Sequence, residues 1–225
     1  MTRVIAFDVN ETLLDLSTLD ERFLTLFGSA ALRPQWFATM LQLSFVGGLT
    51  GEYVDFTTAQ RAALEMVARR EGVDLTEEDV TGTVEGMTAL RPHADVPGAL
   101  RRLAATDLKV VALTNSVLWV AEAQLTHAGI RDSFDRVMSA DDVRHLKPAP
   151  EPYHAVARTF DVSPGDVRLV AAHSWDVAGA LAAGCRAAFV ARPGQVPSPL
   201  GLQPDIVAAD VAEVVDRIIE VDLGA

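Results

Sequence analysis

Four short polar clusters in this sequence hold residues that could share one piece of chemistry: Asp8-Val9-Asn10, Thr114-Asn115, Lys147-Pro148 and His173-Ser174-Trp175-Asp176. Together they supply a carboxylate, a hydroxyl beside an amide, a cation, and a second carboxylate with an imidazole. A carboxylate kept ionised by a neighbouring cation is a nucleophile, and an acid–base group close to it can handle a proton or a water. Asp8 follows the apolar run 4–7, which reads as a fully buried strand whose carboxyl end opens into a site. A lone aspartate there would more simply cap a turn. The recurrence of polar groups at the ends of later apolar runs favours chemistry, with Asp8 as candidate nucleophile.

The elements that must position these clusters come from the hydrophobic spacing. Residues 16–27, 34–47, 52–71 and 76–89 carry apolar side chains three and four apart, broken by Gly-Ser, Gly-Gly and Gly-Val-Asp turns, which predicts four helices. Pro34 suits a first helical turn, Thr76 with Asp79 suits an N-cap with an acid three residues on, and Gly47-Gly48 suits a helix end. From Pro92 strand and helix patterns alternate. Strands are expected at 108–113, 136–139, 167–172, 187–191 and near 205–207, and helices at about 95–105, 117–128, 150–160, 177–183 and 210–221. This predicts an α/β fold with a doubly wound parallel sheet and a helical domain inserted after the first strand, so that the core is 1–15 with 93–225 and the cap is 16–92. Parallel connections bring the loops beyond the strands to one edge, where ligands bind in open α/β sheets.

The 225 residues are 49% hydrophobic and 22% charged, enough for a substantial core, and the net charge of −12 argues against nucleic acid or an anionic membrane as partner. A single cysteine, Cys185, excludes an internal disulfide and reads as a buried, inert thiol. With no basic leader and no apolar run near the ~20 residues of a membrane span, a cytoplasmic protein is expected.

The order and spacing of the clusters resemble the haloacid dehalogenase superfamily along essentially the whole chain. The resemblance implies a Rossmann-like core with an inserted cap, Asp8 as nucleophile, Thr12 holding its turn, and Thr114, Lys147 and Asp176 at the later motif positions. The phosphatase branch has a second aspartate two residues after the nucleophile and a pair of acids in the last motif for Mg²⁺. Here those places offer Asn10, which cannot donate a proton as a carboxylic acid can, and the single acid Asp176. Asn115, Tyr153 in Lys-Pro-Ala-Pro-Glu-Pro-Tyr and Trp175-Asp176 are similar to the type II, or L-2-haloacid, dehalogenases. Such enzymes need neither a metal nor a cofactor.

Similarity to that branch implies hydrolysis of short 2-haloacids to 2-hydroxy acids. Asp8 displaces halide from C2 and water then cleaves the aspartyl ester. Lys147 keeps Asp8 ionised, and Asp176 with His173 orients Lys147 and activates the water. Val9, Asn10, Thr114 and Asn115 cradle the substrate carboxylate or halide, with Trp36, Phe37, Tyr153 and Trp175 completing the substrate site. Well-known relatives also carry a cap arginine for halide; Arg33 is the only arginine near that place. Altered halide contacts leave fluoroacetate open as a substrate. Relatives are commonly homodimers. The alternatives are a Mg²⁺-dependent small-molecule phosphatase of the same fold and a binding protein that retains the fold without turnover.

Overall fold

The computed structural model describes residues 2–224. The first apolar run forms β1 (Val4–Phe7), with all of its residues buried. Two short strands, β2 (Leu14–Asp15) and β3 (Arg91–Pro92), pair antiparallel where the chain leaves and rejoins the core. Between them lie α1 (Asp20–Phe27), α2 (Leu32–Thr50), α3 (Phe56–Glu71) and α4 (Glu77–Glu85), the expected helical insertion. The remainder alternates as α5 (Val96–Leu103), β4 (Lys109–Thr114), α6 (Leu118–His127), β5 (Arg136–Ser139), α7 (Pro150–Thr159), β6 (Val167–Ala171), α8 (Ser174–Ala182), β7 (Arg186–Val190), β8 (Ile206–Ala208) and α9 (Val211–Leu223). Six of the strands form one parallel sheet in the order β5-β4-β1-β6-β7-β8, so the predicted doubly wound architecture is found.

Register explains why the polar clusters meet. Phe7 of β1 pairs with Ala112 of β4 on one side and Val170 of β6 on the other. One residue beyond Phe7 stands Asp8, two beyond Ala112 stands Thr114, and three beyond Val170 stands His173. Each strand ends its buried run at the same level, so its first polar residues face one crevice.

Three local features differ from the expectation. α2 runs through Gly47 and Gly48 and stops at Gly51, whose φ of +79° is the left-handed C-cap that glycine favours. The bare Gly47 is a close approach rather than a stop, because a Cβ there would lie 2.7 Å from the Glu52 carbonyl oxygen. α8 begins at Ser174, which puts Asp176 in the first helical turn, where a carboxylate is favoured by the helix dipole. The β2–β3 pair is unexpected because two residues are too few for an alternating pattern. Elsewhere the local chemistry holds: Thr76 and Asp79 make a full capping box, and Pro34 sits in the first turn of α2. Cys185 is free and buried, and burial pushes its thiol up to about 11.

Candidate active site

Asp8 sits at the carboxyl end of the central strand, 5% exposed. The Lys147 ammonium donates to Asp8 Oδ1 at 2.9 Å, to the Leu113 carbonyl at 2.8 Å and to Asp176 Oδ2 at 2.6 Å. Those three bonds use every N–H of a fully buried ammonium. Thr12 Oγ1 donates to Asp8 Oδ2 at 2.7 Å and accepts the Ala172 N–H at 2.9 Å, so the motif turn is tied to the end of β6. His173 Nδ1 lies 3.1 Å from Asp8 Oδ2, and its Nε2 lies 2.9 Å from Glu11 Oε2.

These contacts set the charges. Burial works against the charge on Asp8, but Lys147 and the hydrogen bonds from His173 and Thr12 outweigh it and hold the carboxyl well below its usual range. Burial likewise opposes the Lys147 charge, and Asp176 and Asp8 overcome it, raising the ammonium above its ordinary value. Burial raises Asp176, with the Asp8 charge adding to it and Lys147 opposing. For His173 burial favours the neutral ring, yet its bonds to Asp8 and Glu11 prevail and lift it to about 9. The resting site therefore holds an imidazolium that donates to both carboxylates. Its ring is stacked between Phe37, centroids 5.8 Å apart, and Trp175, 5.2 Å apart.

The walls of the site are Asp8, Asn10, Phe37, Leu41, Phe56, Thr114, Asn115, Lys147, His173 and Trp175. The enclosed volume is about 10 Å³, room for no more than a water. Asn115 is pinned by its own amide, which donates to the Lys147 carbonyl at 3.1 Å and accepts the Lys147 N–H at 2.8 Å. Asn10 donates to Ser116 Oγ at 3.3 Å and accepts from Gln124 at 3.1 Å. The Trp175 indole nitrogen is buried with no hydrogen-bond partner among the described residues. Also among them, no group of three or more His, Cys, Asp or Glu is arranged to hold a metal ion.

Several residues lie away from the place the sequence suggested. Trp36 is not a wall of the chamber: it is fully buried inside the helical insert, donates its indole N–H to the Gln60 carbonyl at 2.9 Å, and packs 5.3 Å from Phe23. Its neighbour Phe37 faces the chamber instead, since adjacent helical positions point about 100° apart. The Val9 side chain belongs to the apolar core, and its carbonyl caps the motif turn by accepting from Leu13 and Leu14. Tyr153 is also outside the chamber; fully buried, its hydroxyl donates to Asp176 Oδ1 at 2.5 Å. Arg33 is bonded to Asp20 at 2.5 Å and approaches Glu11 at 3.6 Å, so its guanidinium is engaged at the rim.

The sequence reading missed Glu11, Leu41 and Gly179. Glu11 lies inside the first motif and takes the left-handed backbone, φ +60°, an uncommon conformation for a side-chain-bearing residue that clusters at functional sites. Gly179 gives no motif signal, but a Cβ there would lie 2.7 Å from both the Pro148 carbonyl oxygen and the Tyr153 hydroxyl. Its bareness lets α8 approach the lysine loop closely enough for Asp176 to reach Lys147.

The haloacid dehalogenase-like hydrolase family matches residues 2–184. The chain belongs to that family. Within it, the chain is similar to an (S)-2-haloacid dehalogenase of Xanthobacter autotrophicus, 30% identical, covering 87% of this chain and 77% of that protein. It is similar also to an (S)-2-haloacid dehalogenase of Pseudomonas sp. strain YL, 28% identical over 94% and 92% of the two chains. Among solved structures, an L-2-haloacid dehalogenase from Xanthobacter autotrophicus with chloropropionic acid covalently bound superposes with a TM-score of 0.90, at 26% identity over 98% of this chain and 99% of that one.

Proposed function

We propose that this chain is a hydrolytic L-2-haloacid dehalogenase that passes through an ester on Asp8. The observation that carries this reading is an ionised carboxylate, fixed by Lys147, Thr12 and His173, in a small chamber whose remaining walls include the apolar side chains of Phe37, Leu41, Phe56 and Trp175. Where a phosphatase would have an acid for its leaving group, the chamber has Asn10. Halide leaves without protonation, so that place needs no acid. The similarity to named dehalogenases over nearly the full length supports the same reading.

In the first step an Asp8 oxygen attacks C2 opposite the carbon–halogen bond; halide departs with the bonding pair and C2 inverts. Lys147 keeps Asp8 charged and aimed. Thr114 and Asn10, both in the chamber wall, hold the substrate carboxylate. The second amide hydrogen of Asn115 and the unpartnered Trp175 N–H receive the halide, a role Arg33 cannot fill while bonded to Asp20.

The ester has no charge, so the strongest support for the His173 imidazolium disappears when it forms. His173 then releases its proton outward past Glu11, and the neutral ring accepts a proton from the attacking water. Water adds to the carboxyl carbon of Asp8, the acyl–oxygen bond breaks, and His173 returns the proton to the departing 2-hydroxy acid. The second water proton, left on the Asp8 carboxyl, passes to His173 to restore carboxylate and imidazolium. Asp176 acts through Lys147, because both of its oxygens are occupied, by Lys147 and by Tyr153. The aspartate–lysine contact thus serves the first step and the histidine–glutamate contact the second.

In this reading residues 16–92 act as a cap over a core of 1–15 with 93–225. Cap residues Phe37, Leu41 and Phe56 close the chamber, and closure excludes water other than the one consumed. The protein works in the cytoplasm, and among the described residues no helix is long and apolar enough to cross a membrane. It works as a homodimer, for which the exposed apolar residues Leu24 and Met66 on cap helices offer a contact. Fractionation and sedimentation test those two points.

Halide release from chloroacetate, bromoacetate, fluoroacetate and L-2-chloropropionate, in excess EDTA and beside Asp8→Asn, tests the function. Release that survives the chelator and is absent in the variant is expected. Silence with all four, together with Mg²⁺-dependent cleavage of a phosphate ester, would overturn it in favour of a phosphatase.

A further inference from the structure

A second cavity, about 670 Å³, lies between the last turns of α2 and the loop that carries Lys147. Phe45, Leu49 and Tyr53 line it from the insert, and Arg144, Leu146 and Pro148 from the core. Leu146 and Pro148 flank Lys147 directly. Phe45 lines this cavity, and its ring stands edge-on, 5.3 Å away, against Trp175, which lines the Asp8 chamber. This aromatic pair, together with the Leu146–Pro148 loop, stands between a large outer space and a chamber too small for any haloacid.

At the outer cavity, Arg144 lies with its guanidinium 3.9 Å over the Tyr53 ring, while the Tyr53 hydroxyl donates to Asp141. That guanidinium has no hydrogen bond or ion pair among the described residues. Stacking on a ring face leaves its edge, a fork of N–H donors suited to a carboxylate, free. Arg144 also holds the left-handed backbone, φ +54°, an uncommon position for arginine. In a chain of net charge −12, Arg144 puts a cation into a lining that carries no carboxylate, with Asp141 beyond the Tyr53 hydroxyl.

We infer that the cavity is the antechamber through which the 2-haloacid anion reaches Asp8, with Arg144 the charge that collects its carboxylate and Phe45 the side chain that gates its passage. This rests on the dehalogenase reading for the identity of the ligand. The walls match such a molecule: apolar surface for the halogen-bearing carbon chain and one cation for the carboxylate. Arg144 touches no reacting group, so it governs capture and not bond breaking, and Phe45 limits which chains pass.

The test compares the parent with Arg144→Glu and Phe45→Ala. For bromide release from bromoacetate, kcat/KM of Arg144→Glu falls about tenfold at low salt, the gap closes as salt is added, and kcat stays within about twofold. Phe45→Ala keeps bromoacetate near the parent rate and raises kcat/KM for 2-bromohexanoate at least about fivefold. A stopped-flow arm follows propionate association by tryptophan fluorescence, which requires no bond breaking. Slower association in Arg144→Glu, with no halide released by any form, would sustain the antechamber and sink the dehalogenase reading. Halide release by the parent, with kcat/KM and association unchanged in Arg144→Glu at every salt concentration, would sink the antechamber alone. So would a dimer in sedimentation that Arg144→Glu dissociates, since the cavity would then be covered by a second copy.

Discussion

His173 bridges two carboxylates, with Nδ1 3.1 Å from Asp8 Oδ2 and Nε2 2.9 Å from Glu11 Oε2. In the proposed reaction the histidine senses the charge state of the nucleophile it serves, and Glu11 fixes its ring for the second half.

Removing that bridge should separate the two halves. In His173→Asn and Glu11→Gln, alkylation of Asp8 continues while ester hydrolysis slows by about 10²- to 10⁴-fold, the range for a lost general base. Mass spectrometry of the quenched protein should find the substrate's acid fragment attached to the peptide containing Asp8. Equal slowing of both steps, with no adduct, would show that the bridge only supports the fold.

The same contact makes stability depend on pH. His173 rises from its ordinary 6.5 to about 9 in the folded protein, so the imidazolium favours folding. Its contribution is complete below pH 6.5 and is lost as pH climbs through 9. Denaturant titrations of the parent and His173→Asn should therefore converge from pH 6 to 10 by at most about 3 kcal/mol, with the parent losing its advantage. A constant difference across that range would place the proton elsewhere.

Neighbouring residues on α2 should behave oppositely. Trp36→Phe loses a buried hydrogen bond and some packing, costing about 1–3 kcal/mol of stability, with KM for the haloacid unchanged. Phe37→Ala opens the wall beside His173 and raises KM. Thermal unfolding read beside steady-state kinetics distinguishes them, and a changed KM in a folded Trp36→Phe would contradict the assignment.

Gly179→Ala pushes a methyl group into Pro148 and Tyr153, and the backbone of the lysine loop cannot yield cheaply. About 1–3 kcal/mol of stability and most of the turnover should go together. Tyr153→Phe relaxes the crowding but leaves Asp176 Oδ1 without its donor, so it should lower kcat while KM stays near the parent value. Full activity in Gly179→Ala would mean that the close packing of α8 is not what brings Asp176 to Lys147.

The range of each signal decides how much of the site is legible in the sequence. Asp8, Thr114 and Lys147 each stand beside a strand or a proline that fixes their place, Asp176 follows β6 by one short turn, and local pattern plus the parallel topology suffices to bring them together. Glu11 is also in view, inside Asp-Val-Asn-Glu-Thr, but its role depends on a left-handed backbone and on a histidine far along the chain. Whether Trp36 or Phe37 faces the chamber turns on the rotation of one helix, which spacing alone does not set when α2 is apolar on nearly every side. Gly179 matters through an absence of atoms, and only the packed structure shows what those atoms would strike.

The central claim is that Asp8 forms an ester which water cleaves at the carboxyl carbon. A single turnover in H₂¹⁸O, with enzyme in excess over L-2-chloropropionate, tests it directly. The account predicts an unlabelled lactate, whose new hydroxyl oxygen comes from Asp8, and one ¹⁸O in the peptide containing Asp8. Labelled lactate in that first turnover, with Asp8 unlabelled, would mean that water attacks C2 directly and would contradict the account.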